Sequence, residues 1–292
     1  MKMILSFLSG LLTLLFSFHS GAQDANPIKD KTLLWRISGK HLTKPSYLFG
    51  TMHMICREDF IWTGKMKESL TKSEKVCFEM NLNDPNVLTE ASMALIESIT
   101  KKLLDNINDS TKMQKLAKLM SDTSGKDKML SESDPMALQS LMSSAGLNCP
   151  NTVSYEDSIM KIALGDKKEI MGLEEAKEQI AVFETIPLDS LINMLLEGKM
   201  PKEAAGGATA ELMTAYKNQD LPALYNLVMS AGGSGIDMKL FLDGRNKKWI
   251  PRMSEKMKTS SVFFAVGAGH LAGPNGVIIL LRKDGYTVEP VK

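Results

Sequence analysis

Hydrophobic residues follow two different periods along this chain. Near the start, Leu33-Leu34-Trp35-Arg36-Ile37 and Ser46-Tyr47-Leu48-Phe49 are short apolar runs separated by turn-forming residues between Gly39 and Pro45. They predict two strands joined as a hairpin. Met66 to Ser73 has helical spacing, and Lys75-Val76-Cys77-Phe78-Glu79-Met80 is apolar on both faces, as an inner strand is. From Asn83 to about Lys247 the period lengthens. Leu88, Met93, Leu95 and Ile96, then Leu103, Leu104 and Ile107, then Met113, Leu116, Leu119 and Met120 recur at three and four, which predicts helices. Asp134-Pro135 opens another helix with proline in its first turn, and Ser190 to Leu196 and Ala208 to Tyr216 continue the pattern. Ala204 to Ala208 and Ala231 to Gly235 read as small-residue breaks, and Glu169 to Leu173 as one interrupting strand. The ending returns to a strand at Ser261 to Val266, a short helix from Gly276 to Lys283 and a last strand from Tyr286 to Val291. The prediction is an α/β domain: a central mixed sheet supplied by both chain ends, with a large helical insert over about residues 83–247.

The first 22 residues read as a secretory signal. Lys2 gives the positive start, Ile4 to Phe18 the apolar run, and Ser20-Gly21-Ala22 the small residues before a cleavage ahead of Gln23. An uncleaved anchor is the alternative, but the run falls short of the roughly 20 residues a spanning helix needs. No later segment is long and apolar enough to span a bilayer. The expectation is an exported protein, periplasmic or secreted, whose mature part at 23–292 is one domain. With 35 basic and 34 acidic residues, nothing in the charge points to nucleic acid.

Three cysteines, Cys56, Cys77 and Cys149, permit one disulfide in an oxidising compartment and leave at least one thiol free. Cys77 sits in an apolar strand and reads as a buried small hydrophobe. A Cys56–Cys149 bridge and a free Cys56 thiol near His53 both stay open. The 21 methionines suit adaptable core packing, or a pliable peptide-gripping surface.

Two segments share one pattern. Leu48-Phe49-Gly50-Thr51-Met52-His53 and Ala265-Val266-Gly267-Ala268-Gly269-His270 each run from a strand into Gly-x-x-His. In open α/β sheets, sites form beyond the carboxyl ends of strands, where glycine allows a sharp turn and close approach. The motifs use two of the four histidines; His19 lies in the signal and His41 in a hairpin loop. A catalytic metal needs a third protein ligand and an open position. Glu79, at the end of an apolar run, is the best carboxylate for it, and Glu174 in Gly172-Leu173-Glu174-Glu175 is a further ligand or general base. Arg245 suits an oxyanion or carboxylate clamp. Each also has a plain reading as a solvated strand-end, helix-start or surface residue. Neither His-Glu-x-x-His nor Gly-x-Ser-x-Gly occurs.

These residues resemble the TraB/GumN family, whose relatives include the Tiki proteases. The similarity runs through Leu34-Trp35-Arg36-Ile37, Tyr47 to His53, Phe78-Glu79, Gly172-Leu173-Glu174 with Gln179, Arg245-Asn246, Val266 to Gly273, Gly276-Val277, Leu280-Leu281-Arg282 and Gly285 to Val288. The resemblance implies an erythromycin esterase/ChaN-like fold and a metal-dependent peptidase. It implies His53, His270 and Glu79 around a divalent metal (Mn, Co or Zn), Glu174 and Arg245 in support, and a peptide or protein substrate. Cys56 departs from the family pattern. The other function class consistent with the residues is a non-catalytic haem-, metal- or peptide-binding protein of the cell envelope.

Overall fold

The computed structural model describes residues 28–105, 108–111, 113–114, 147, 149–183, 202–230 and 238–292. The signal segment, the helix expected at Asp134-Pro135, the helical pattern at 190–196 and the break at 231–235 lie outside these residues.

A six-stranded sheet organises the chain, in the order β6-β4-β7-β2-β1-β8. Its strands are β1 (Leu34–Gly39), β2 (Ser46–Thr51), β4 (Lys75–Phe78), β6 (Glu169–Gly172), β7 (Val262–Gly267) and β8 (Tyr286–Pro290). β6, β4, β7 and β2 are mutually parallel, whereas β1 pairs antiparallel with both β2 and β8. β7, β2 and the Val76–Phe78 part of β4 are apolar without alternation because both faces are covered, whereas the edge strand β6 is part-exposed. All six residues of β2 are buried, as are Val262 to Val266 of β7. A two-stranded ribbon, β3 (Ile55–Cys56) with β5 (Thr152–Val153), lies outside the main sheet.

Helices close the two faces. They are α1 (Gly64–Lys72), α2 (Pro85–Asp105), α3 (Tyr155–Gly165), α4 (Ala176–Phe183), α5 (Lys202–Lys217), α6 (Leu221–Ser230), α7 (Met238–Met257) and α8 (Val277–Lys283). Met66 and Leu70 of α1, Tyr155 and Ile159 of α3, Trp249 and Met253 of α7, and Val277, Ile278 and Leu281 of α8 are buried in one core with the sheet. Among the described residues no helix is long and apolar enough to cross a membrane.

Three details differ from the sequence pattern. The strand expected at Glu169 to Leu173 forms as β6, but it joins the main sheet beside β4, so the sheet is not supplied by the two chain ends alone. Ala204–Ala208 is helical, inside α5, since the alanines favour helix enough to carry Gly206 and Gly207. Met93 is 66% exposed, and α2 instead buries Ala91 against Met80 and Ala176.

Candidate active site

The carboxyl ends of four adjacent parallel strands each release one polar residue of interest. β2 leads to His53, β7 to His270, β4 to Glu79 and β6 to Glu174. In register, Gly50 faces Val266 and Thr51 faces Gly267, so the two Gly-x-x-His motifs run side by side, one step apart. A methyl group on Gly50 would stand 3.0 Å from Leu271 Cδ2 and 3.1 Å from the Ala268 Cα. The first motif thus packs closely on the backbone of the second, through a position where even a methyl group would be tight. The Tyr216 hydroxyl donates to the Gly50 carbonyl at 2.9 Å and fixes the turn from behind.

Arg245, on α7, enters between the two acids. Its Nη2 donates to Glu79 Oε2 at 2.6 Å and also to Glu174 Oε1, and its Nε donates to Glu174 Oε2 at 3.0 Å. The guanidinium is buried, flanked by the rings of Phe241 and Trp249 at 5.5 and 5.0 Å. Glu79 also accepts the Gly267 N–H at 2.7 Å and the Gln179 amide at 3.3 Å. Burial opposes its charge, but Arg245, the two histidines and the Gly267 N–H outweigh that and hold the carboxyl well below the usual range. Glu174 shares the same arginine and accepts from Trp249 Nε1 at 3.1 Å. One guanidinium serves two acids, and burial pushes Glu174 upward despite its bonds.

His270 is enclosed by this group. Arg245 Nη1 lies 3.2 Å from its Nε2, and the Asn246 Oδ1 lies 2.7 Å from its Nδ1. Asn246 Nδ2 donates to the His270 and Asn275 carbonyls, which orients its oxygen toward the ring. His270 therefore carries its proton on Nδ1 and accepts at Nε2. Burial, with the nearby Arg245, brings it down to about 3, so the ring is neutral. The indole of Trp249 covers it at 4.4 Å.

His53 has a different neighbour. Its Nδ1 lies 3.1 Å from Glu156 Oε1, which also accepts from Thr51 Oγ1 at 2.6 Å. Desolvation lowers this imidazole, but the Glu156 carboxylate more than offsets it and raises the ring to about 9. His53 feels the charges of Glu79 and Arg245, so both motifs share one electrostatic environment.

The five residues singled out from sequence thus divide. Glu79, Glu174, Arg245 and His270 are in direct contact, and His53 stands beside them on its own carboxylate. Glu156 was not singled out: Ser154-Tyr155-Glu156-Asp157 reads as an N-cap followed by first-turn acids, which any helix start favours. The Cys56 thiol left open by the sequence is in a disulfide with Cys149, and Cys77 is free and buried.

The donor chemistry, two imidazoles and carboxylates, suits a divalent metal. His270 Nε2 and Glu79 Oε1 lie 3.9 Å apart, a spacing two ligands of one ion can take. His53 does not complete this pair. Among the described residues, the three-donor group whose ligand atoms all lie within 4.8 Å is Cys56, Glu58 and Cys149, and its sulfurs are bonded to each other. The set therefore fits a metal by donor type and by one donor pair, without a closed three-ligand cage.

Fold and site together define an α/β protein with a buried histidine–carboxylate–arginine centre at the carboxyl edge of its sheet. The chain belongs to the TraB/PrgY/gumN family, whose sequence model matches residues 33–290. It is similar to the metalloprotease TIKI1 of Danio rerio, 23% identical over 326 residues, covering 92% of this chain and 65% of that protein. It is also similar to a metalloprotease TIKI homolog of Amphimedon queenslandica, 24% identical over 342 residues, covering 96% of this chain and 65% of that protein. The chain thus spans about two thirds of the length of these curated relatives. No solved structure matches it.

Proposed function

We propose that the protein is a metal-dependent hydrolase, a peptidase acting on exported proteins or peptides, and that it is itself exported. The observation that carries this reading is the direct contact of His270, Glu79 and Glu174 with Arg245 at three neighbouring strand ends, with His53 following the end of the fourth. The relatives named as metalloproteases support it. An erythromycin esterase/ChaN-like fold relationship belongs to the same reading.

His270 and Glu79 would hold the ion, and His53 would join them only on giving up the proton that Glu156 favours; Mn, Co and Zn all suit these donors. When bound, such an ion supplies Lewis acidity at the scissile carbonyl and an activated water. The chain's own groups do the rest. Arg245 is a fixed positive charge, held in place by two carboxylates, for oxygen charge developing in the transition state. Glu174, the acid that burial pushes upward, accepts and returns the proton. Trp249 and Phe241 line Arg245 and keep its charge poorly hydrated.

The test uses purified protein stripped with chelator, resupplied with Mn, Co or Zn, and incubated with a peptide library read by mass spectrometry. Metal-stimulated cleavage by the wild type, lost by about 100-fold or more in Glu79→Gln and His270→Ala, is expected. Equal cleavage by wild type and variants would sink the mechanism.

A further inference from the structure

We propose that Glu156 is the positioning residue of His53, holding its Nδ1–H so that Nε2 is the edge presented to the site. The inference rests on the hydrolytic reading above for its purpose, but on independent contacts for its geometry.

The carboxylate is built to stay where it is. Its Oε1 takes the His53 Nδ1 at 3.1 Å and the Thr51 hydroxyl at 2.6 Å, and its Oε2 takes the Ser154 hydroxyl at 3.1 Å. Both oxygens are thereby fixed, and Glu156 is buried while the His53 side chain keeps 41% of its exposure. Glu156 belongs to the first turn of α3, whose N-cap Ser154 accepts from the Asp157 N–H. Unpaired N–H groups there favour a carboxylate.

The backbone that carries the pair is cross-linked. β3 begins two residues after His53, and β5 ends three residues before Glu156. These strands pair directly, Ile55 with Val153 and Cys56 with Thr152, and the Arg57 N–H donates to the Asn151 carbonyl at 3.0 Å. The Cys56–Cys149 disulfide closes the same two segments covalently. A hydrogen bond between residues 103 positions apart is thus held by a ribbon and a disulfide that lie beside it. Orientation of a site imidazole through its second nitrogen is the usual work of such a carboxylate. His270 receives the same service from the Asn246 amide. A purely structural reading would have Glu156 serve Thr51 and the β2 turn alone.

The experiment compares wild type, Glu156→Gln, Glu156→Asp and Thr51→Val in the full chain. Histidine-15N NMR reads the downfield Nδ1–H of His53, assigned by its loss in His53→Ala. Calorimetry reads Mn and Zn affinity, circular dichroism reads folding, and peptide cleavage reads activity. Glu156→Gln, whose amide oxygen can still accept the Nδ1–H as Asn246 does for His270, should shift the His53 signal upfield by weakening the bond and lose about 10-fold or more in metal affinity or rate. Glu156→Asp should keep the charge and recover part of both. Thr51→Val, which leaves the His53 contact in place, should retain the signal. A His53 signal in folded Glu156→Gln that neither shifts nor weakens, with wild-type metal affinity, would overturn the proposal. So would Thr51→Val losing as much as Glu156→Gln, since the carboxylate would then act through the turn. If Glu156→Gln does not fold, Glu156→Asp with wild-type signal, affinity and rate is the overturning result. If the wild type cleaves no peptide, the hydrolase reading falls, and the NMR and calorimetry still decide the role of Glu156.

Discussion

Replacing Arg245 by methionine tests the electrostatic account of the site most directly. Methionine keeps an unbranched apolar stem between Phe241 and Trp249 and removes the charge. The arginine side chain is 7% exposed, and its partners Glu79 and Glu174 are 10% and 2% exposed. The variant leaves two buried carboxylates facing each other without a cation. Breaking a buried pair in this way costs roughly 3–5 kcal/mol. The loss is bounded because one acid can take a proton, and Glu174, already raised by burial, is the one that will. A raised acid adds stability below its unfolded value and loses it as pH climbs through its folded value. The variant is therefore worst at neutral pH. Glu79 works in the opposite direction in the wild type: its depressed carboxyl contributes above the unfolded value and fades as pH falls. Both trends narrow the gap between the two proteins toward acid. Urea unfolding followed by tryptophan fluorescence, at about pH 7 and about pH 4, measures the gap. Arg245→Met/Glu174→Gln should recover at least half of the neutral-pH loss. A single-variant cost under about 1 kcal/mol at neutral pH would refute the reasoning, as would a gap that stays constant toward acid.

Two smaller tests follow from neighbouring contacts. A methyl on Gly172 would stand 2.7 Å from the Asn81 backbone nitrogen, so Gly172→Ala must push β6 off β4. It should break the Leu173 and Glu174 N–H bonds to the Glu79 carbonyl, cost about 1–3 kcal/mol in urea melts, and lower any peptidase rate by displacing Glu174; unchanged stability would contradict it. Arg252 grips Glu178 through two nitrogens at 2.7 and 3.0 Å and, above all other contacts, holds that carboxyl down at about 2. Its stabilisation is present above the usual value of 4.5 and is lost as pH falls toward about 2, so Arg252→Gln should flatten that part of the acid-unfolding curve.

The strands were readable because their signal is local. Val76-Cys77-Phe78 and Val262 to Val266 are apolar without alternation, which is the mark of a parallel strand covered on both faces. The match between the two Gly-x-x-His segments was readable for a related reason, since each copy is a strand end followed by a turn. Neither signal reports which strands neighbour each other. The order β6-β4-β7-β2 comes from pairings between residues up to about two hundred positions apart, and sequence periodicity carries no information about them. Met93 shows the same limit in a helix. Its spacing fits an apolar stripe, but the small Ala91 lets α2 approach Met80 and Ala176 closely, and this turns Met93 outward.

Glu156 is the sharper case, because its sequence context was informative and misleading together. A serine cap followed by two acids is a sufficient local explanation for Ser154-Tyr155-Glu156-Asp157, and it is also true, since Ser154 does cap α3. The second role exists because the β3–β5 ribbon and the Cys56–Cys149 bridge bring that cap to His53. The consequence is that two histidines with one motif end in opposite states. His53 meets a carboxylate and is raised to about 9; His270 meets an amide and a guanidinium and falls to about 3. Local pattern set where each ring hangs from the sheet, and the residues delivered from distant segments set its charge.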